Sequence, residues 1–200
     1  YRSADGRILL FRPEQNARRM NRSATRLCMA EIPEELFLRG VKEVVLQDKD
    51  WIPGDEGTSL YIRPTMIANE NFLGIKVSNR FMFYVILSPV GPYYKEGFNP
   101  IPIYVEDKLV RASVGGVGDI KTGGNYAASL FADNRAKKLG FTQVLWLDSK
   151  EHRFVEEVGS MNIFFVFGNK LVTPALNGSI LPGITRDSVL KLAPDLGYEV

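Results

Sequence analysis

Residues 89–101, Pro-Val-Gly-Pro-Tyr-Tyr-Lys-Glu-Gly-Phe-Asn-Pro-Ile, interrupt the chain near its midpoint with three prolines and two glycines. Proline lacks a backbone donor and fixes φ, and glycine weakens any regular element, so no helix or central strand runs through such a stretch. It divides the 200 residues into two expected domains, 1–92 and 106–200, joined by an interdomain loop at 93–105. With 45% hydrophobic residues, both halves have material for a core.

Before the break, residues 7–11 read as a strand, and Pro13 opens a helix that runs to about Cys28. A second helix, Glu34 to Asp48, follows Pro33, with Leu36, Val41, Val44 and Val45 as its core side. Ser59–Arg63, Leu73–Val77 and the nearly continuous apolar run Phe81–Leu87 read as strands. After the break, a strand at 101–105 precedes a helix Asn125–Leu139, which Gly140 closes. Short strands follow at Gln143–Asp148, His152–Glu157, Asn162–Val166 and Lys170–Thr173, then a helix from Gly183 or Ile184 that Pro194 cuts short. The expected class is α+β, with a strand-rich second half.

A net charge of +2 with interspersed signs speaks against a nucleic-acid partner. The single cysteine, Cys28, excludes an intrachain disulfide and suits a reducing compartment. The single histidine, His152, excludes a histidine-based metal cluster. No apolar run is long enough to span a bilayer. A cytoplasmic location is expected, with a mitochondrial one left open.

The chemistry concentrates around Lys121, in Gly115-Gly116-Val117-Gly118-Asp119-Ile120-Lys121-Thr122-Gly123-Gly124-Asn125-Tyr126. A lysine that reacts with a carbonyl must be neutral part of the time, so a desolvated, glycine-lined setting suits it. Glu157 follows Glu156, and alternation along a strand turns one of the two inward. A buried carboxylate is paired or functional, and against a pyridine nitrogen it keeps that nitrogen protonated. Gly183-Ile184-Thr185 at a helix start offers amide donors and a positive dipole end to a phosphate. Amine, acid and helix start together suit pyridoxal phosphate. The alternative is a plain anion-binding loop, since Gly115 to Thr122 comes close to a nucleotide P-loop; but Ile120 stands where that loop needs glycine before the lysine.

Glu157-x-Gly159-x-x-Asn162-Ile163-Phe164, then Leu171-x-Thr173, then Leu181-x-Gly183-Ile184-x-Arg186, resembles the signature of class IV aminotransferases. Asn16-x-x-Arg19-Met20, Thr58-Ser59-Leu60-Tyr61-Ile62-Arg63-Pro64, Lys121-x-Gly123-Gly124-Asn125-Tyr126 and Gln143-Val144-Leu145-Trp146-Leu147 look more narrowly like branched-chain amino-acid aminotransferases. The resemblance extends over essentially the whole chain. It implies a small N-terminal α/β sandwich and a larger, pseudo-barrel domain of the D-amino-acid aminotransferase type, here shortened at both ends.

On matching residues, the resemblance implies that Lys121 bonds covalently to pyridoxal phosphate, Tyr126 meets its phenolic oxygen and Glu157 its ring nitrogen. Arg19, Ile184 and Thr185 would hold the phosphate, with Asn162 in support. Tyr61 and Arg63 would contact substrate, the arginine taking the side-chain carboxylate of glutamate. Leu73 and Ile75 would reach the pocket of the other subunit in a homodimer, and Tyr93 would close over substrate. The implied reaction exchanges the amino group of leucine, isoleucine or valine with 2-oxoglutarate in a ping-pong cycle. Other class IV enzymes, acting on D-amino acids, amines or aminodeoxychorismate, are the alternatives. No metal is implied.

Overall fold

The computed structural model describes residues 1–94, 97 and 99–200. The chain forms two compact units, Tyr1–Asn99 and Pro100–Val200, nearly equal in length. Part of the expected loop 93–105, at residues 95, 96 and 98, lies outside the described residues.

In the first unit, Pro13 begins helix α1 (Pro13–Arg26), where its missing N–H costs nothing. Helix α2 (Glu34–Gln47) follows Pro33 and buries Phe37, Val41 and Val45, spaced by one turn each. Val41 and Val45 are buried as expected, but Leu36 is 44% exposed and Phe37 takes its place in the core stripe. Strands β1 (Ser59–Ala68) and β2 (Phe81–Val90) form an antiparallel pair, with Ile62 opposite Leu87 and Met66 opposite Phe83. These inward residues pack on the α2 stripe, and the rings of Phe37 and Phe83 stand 5.9 Å apart. Full burial of such a side chain contributes about 1.5–3 kcal/mol, and Phe37, Val41 and Val45 come close to it here.

Two expected strands are absent. Residues 7–11 make only an isolated bridge, Arg2 to Ile8, because no neighbouring strand continues the ladder. Residues 73–77 belong to the connection between β1 and β2; Leu73 and Ile75 are fully exposed, with no layer to alternate against.

In the second unit, β3 (Ile103–Glu106) runs parallel to β4 (Gln143–Leu147), and α3 (Gly123–Lys138) crosses between them. Ala132 and Ala136 of α3 lie fully buried against Val144 and Trp146, small side chains letting helix and sheet approach closely. Gly140 ends the helical segment at φ +87°, as its position after Leu139 predicts. Strand β5 (Val155–Val158) pairs antiparallel with β4, and β6 (Phe165–Phe167) pairs with β7 (Lys170–Val172). Helix α4 (Ile184–Leu192) gives way to a 3₁₀ turn at Pro194–Leu196. The described strands of this unit form a three-stranded sheet and a separate pair. The pseudo-barrel is not closed among them, since three strands cannot curl onto themselves. No helix is long and apolar enough to cross a membrane among the described residues.

Candidate active site

Lys121 lies near the end of the connection from β3, just before Thr122 at the N-cap of α3. One turn into the helix stands Tyr126, and the lysine Nζ donates a 2.6 Å hydrogen bond to its hydroxyl oxygen. The ammonium also lies 5.1 Å from the tyrosine ring centre. Lys121 is exposed, not desolvated as its glycine-rich setting suggests. The glycines do not enclose the amine: around Gly123 and Gly124 nothing lies within 4 Å of where a Cβ would stand. Gly118 lies against the carbonyl of Ser179, where a Cβ would overlap it, and Gly115 takes φ +82°. Ile120, the residue that argues against a P-loop, is buried at 2% exposure.

Glu156 and Glu157 are both buried, at 3% and 2% exposure, where strict alternation would place only one inward. The ladder between β4 and β5 slips beside Trp146, opposite Glu157, and the slip breaks the two-residue period. Each acid then finds its own partners. Glu156 accepts from the hydroxyl of Ser179 and, at 3.3 Å, from the amide of Asn177. Glu157 Oε1 accepts from Asn162 Nδ2 at 3.0 Å and from the Leu181 amide at 3.2 Å. Its Oε2 lies 2.9 Å from Arg111 Nε, an ionic contact without hydrogen-bond geometry. Burial pushes the Glu157 carboxyl above its ordinary value. Arg111 and the Leu181 amide pull it back, Glu156 pushes the same way as burial, and Lys121 lowers it.

Asn162 also donates to the Leu181 carbonyl at 2.9 Å, which ties the acid to the segment entering α4. Gly183 leads into that helix, and a Cβ there would strike Asn162 Oδ1. Helix α4 starts at Ile184 without a side-chain cap, followed by the exposed Thr185. A concavity of about 320 Å³, open mouth included, is lined by Arg111, Gly118, Tyr126, Glu157, Gly159 and Leu181 among others.

The remaining expected residues lie in the first unit. Arg19, half-buried on α1, donates to Asn16 Oδ1 at 3.0 Å. Tyr61 and Arg63 are exposed on one face of β1, the guanidinium 5.2 Å from the ring centre. Leu73 and Ile75 are exposed in the β1–β2 connection, and Tyr93 is 73% exposed with its ring 4.9 Å from that of Tyr94. Sequence reasoning missed Arg111 and Ser179. The signal available for Arg111 was the demand of any buried acid for a counter-charge. Among the described residues no cluster could hold a metal ion.

A family model for class IV amino-transferases matches residues 1–200. The chain belongs to the class IV aminotransferases. It is 56% identical over 200 residues to branched-chain-amino-acid aminotransferase 2 of Bacillus subtilis, covering 100% of this chain and 55% of that protein. It thus spans about half the length of the curated relatives it matches. Among solved structures, the Escherichia coli branched-chain amino acid aminotransferase superposes with a TM-score of 0.81, at 27% identity over 100% of this chain and 63% of its own. The branched-chain amino acid aminotransferase from Thermobaculum terrenum, solved in its PLP form, gives 0.79. That pair is 25% identical over 100% of this chain and 63% of the other.

The family implies pyridoxal phosphate, and the donor set here suits it. An amine paired with a phenol can meet an aldehyde and its neighbouring oxygen, and a buried carboxylate can meet a ring nitrogen. An uncapped helix start presents a positive dipole to a phosphate.

Proposed function

We propose that this chain carries the pyridoxal phosphate site of a branched-chain amino-acid aminotransferase, exchanging the amino group of leucine, isoleucine or valine with 2-oxoglutarate. One observation supports this above the others: the Lys121–Tyr126 pair and the anchored carboxylate of Glu157 occur together in one unit of a chain that the family model matches throughout. The 56% identity to a branched-chain enzyme along the whole chain supports the substrate class.

When bound, pyridoxal phosphate supplies an aldehyde that takes the amino group and a ring that accepts electrons from the substrate α-carbon. Lys121 would provide the amine that holds the cofactor and, as a free amine, the base that moves the proton of the substrate α-carbon. Tyr126 holds that amine in place through its hydroxyl. Glu157 would accept a hydrogen bond from the ring nitrogen and favour its protonated form, and Asn162 fixes the carboxylate. Ile184 and Thr185 bind phosphate oxygens through the helix start, and Arg19 adds a positive charge. Tyr61 and Arg63 receive the substrate side chain. The arginine bonds the carboxylate of glutamate and stays solvated when an aliphatic chain is present. Leu73, Ile75 and Tyr93 complete the pocket in a homodimer, a role that suits their exposure in the single chain.

Pyridoxal phosphate added to the protein should give a yellow species that borohydride bleaches and fixes covalently to residue 121. Lys121→Ala should lose both properties. Leucine should then discharge the colour faster than D-alanine. A colourless wild type would end the cofactor reading, and faster turnover of D-alanine would end the branched-chain one.

A further inference from the structure

We propose that Arg111 is a positioning residue of this site: its buried guanidinium keeps the Glu157 carboxylate ionised and aimed, while its other arm clamps the segment leading to α4. The bearing of this on a bound pyridine ring rests on the function proposed above.

The geometry is that of a two-armed brace. Arg111 lies within the connection from β3 that leads to Lys121, and the side chains of Arg111 and Glu157 are 6% and 3% exposed. Nε faces Glu157 Oε2 at 2.9 Å. On the other side, Nη2 donates to the Ser179 carbonyl, and a long 3.5 Å contact reaches the Gly118 carbonyl. One side chain therefore links the lysine connection, the acid on β5 and the approach to α4. The charged groups that act on Glu157 are Arg111, Glu156 and Lys121. Glu156 sits next along β5 and is buried too, so it favours the neutral acid. Lys121 is exposed, where water and salt weaken its pull, and its amine is the group committed to the cofactor. Arg111 is left as the standing counter-charge. Without it, desolvation and Glu156 protonate Glu157, which then offers a donor where a ring N–H needs an acceptor.

The test uses cofactor-free protein carrying ¹³C in its glutamate carboxyls and ¹⁵N in its arginines, with the Glu157 signal assigned by its loss in Glu157→Gln. The wild-type Glu157 midpoint, pushed up by burial and held down by Arg111, is the reference. In Arg111→Met it should rise by about one to three pH units, and Arg111→Lys should restore most of the difference. A purely structural arginine would lower stability without moving that midpoint. Should Arg111→Met fail to fold, wild type alone decides: the Arg111 Nε resonance must shift with the same midpoint as the Glu157 carboxyl. An unmoved Glu157 midpoint, or an Nε signal blind to the Glu157 transition, overturns the proposal. Because no cofactor is present, a protein that titrates as expected yet never binds pyridoxal phosphate overturns the proposed function and leaves the Arg111 assignment standing.

Discussion

Gly118 and Gly124 flank Lys121, and the same methyl group should act in opposite directions at the two positions. At Gly118 an added Cβ would sit 2.5 Å from Ala112 Cβ and 2.9 Å from the Ser179 carbonyl carbon, closer still to its oxygen. The obstacle is mostly backbone, and that carbonyl is held by Arg111, so no rotamer change relieves it. Overpacking costs about 1–3 kcal/mol, and loosening a hydrogen bond from a charged donor adds about 1.5–3 kcal/mol, so Gly118→Ala should destabilise by about 2.5–6 kcal/mol. At Gly124, in the first turn of α3, nothing lies within 4 Å of the added carbon. Alanine there should stabilise by up to about 1 kcal/mol through its helix propensity. The assay is urea unfolding in a Trp51→Phe background, followed by the fluorescence of Trp146. That residue is 0% exposed in the second unit, whereas Trp51 is 67% exposed in the first. A Gly118→Ala transition within about 0.5 kcal/mol of the parent would refute the reasoning, since it would mean that the lysine connection does not rest on Ser179.

Gly183→Ala should displace the Asn162 amide and break its bond to Glu157, weakening pyridoxal phosphate binding about ten- to a hundredfold in an absorbance titration. An unchanged affinity would refute it. Burial raises the Glu106 carboxyl, but the amides of Leu109 and Lys108 and the Arg135 guanidinium outweigh it and hold it below 4.5. The folded state therefore binds fewer protons than the unfolded one, and the stabilisation is complete above 4.5 and lost as pH falls through the lower folded value. Glu106→Gln should be less stable at neutral pH and lose this acid-limb slope in stability measured by urea unfolding. A wild-type slope in the variant would count against it. Asp148 accepts the amides of Lys150, Glu151, Arg153 and Phe154. In Asp148→Ala those four amides should exchange hydrogen faster while Trp146 stays buried; unchanged rates would show that the turn holds without its carboxylate.

The readable parts of the sequence were those fixed by neighbours along the chain. The close of α3 at Gly140 and the proline before α2 follow from local backbone chemistry. The 121/126 spacing puts lysine and tyrosine within one turn, so their meeting was local too. What stayed hidden depended on distant partners. Glu156 could be buried only because Ser179 and Asn177 come to it from more than twenty residues away. Arg111 reaches Ser179 across a separation of 68, which no periodicity encodes. Leu73 and Ile75 alternate like a strand, yet lack the neighbouring chain that would make one.

Asn162 carries one last implication. Its single carboxamide nitrogen touches the acid of β5 and the carbonyl of Leu181, just ahead of α4. It works as a gauge between two jaws: the distance from carboxylate to helix start is set by one short, stiff side chain rather than by the loop joining them. Lengthening it by a methylene, as in Asn162→Gln, would reset that gap, and the molecule best able to reveal the change is a rigid ring with its anion on a fixed arm.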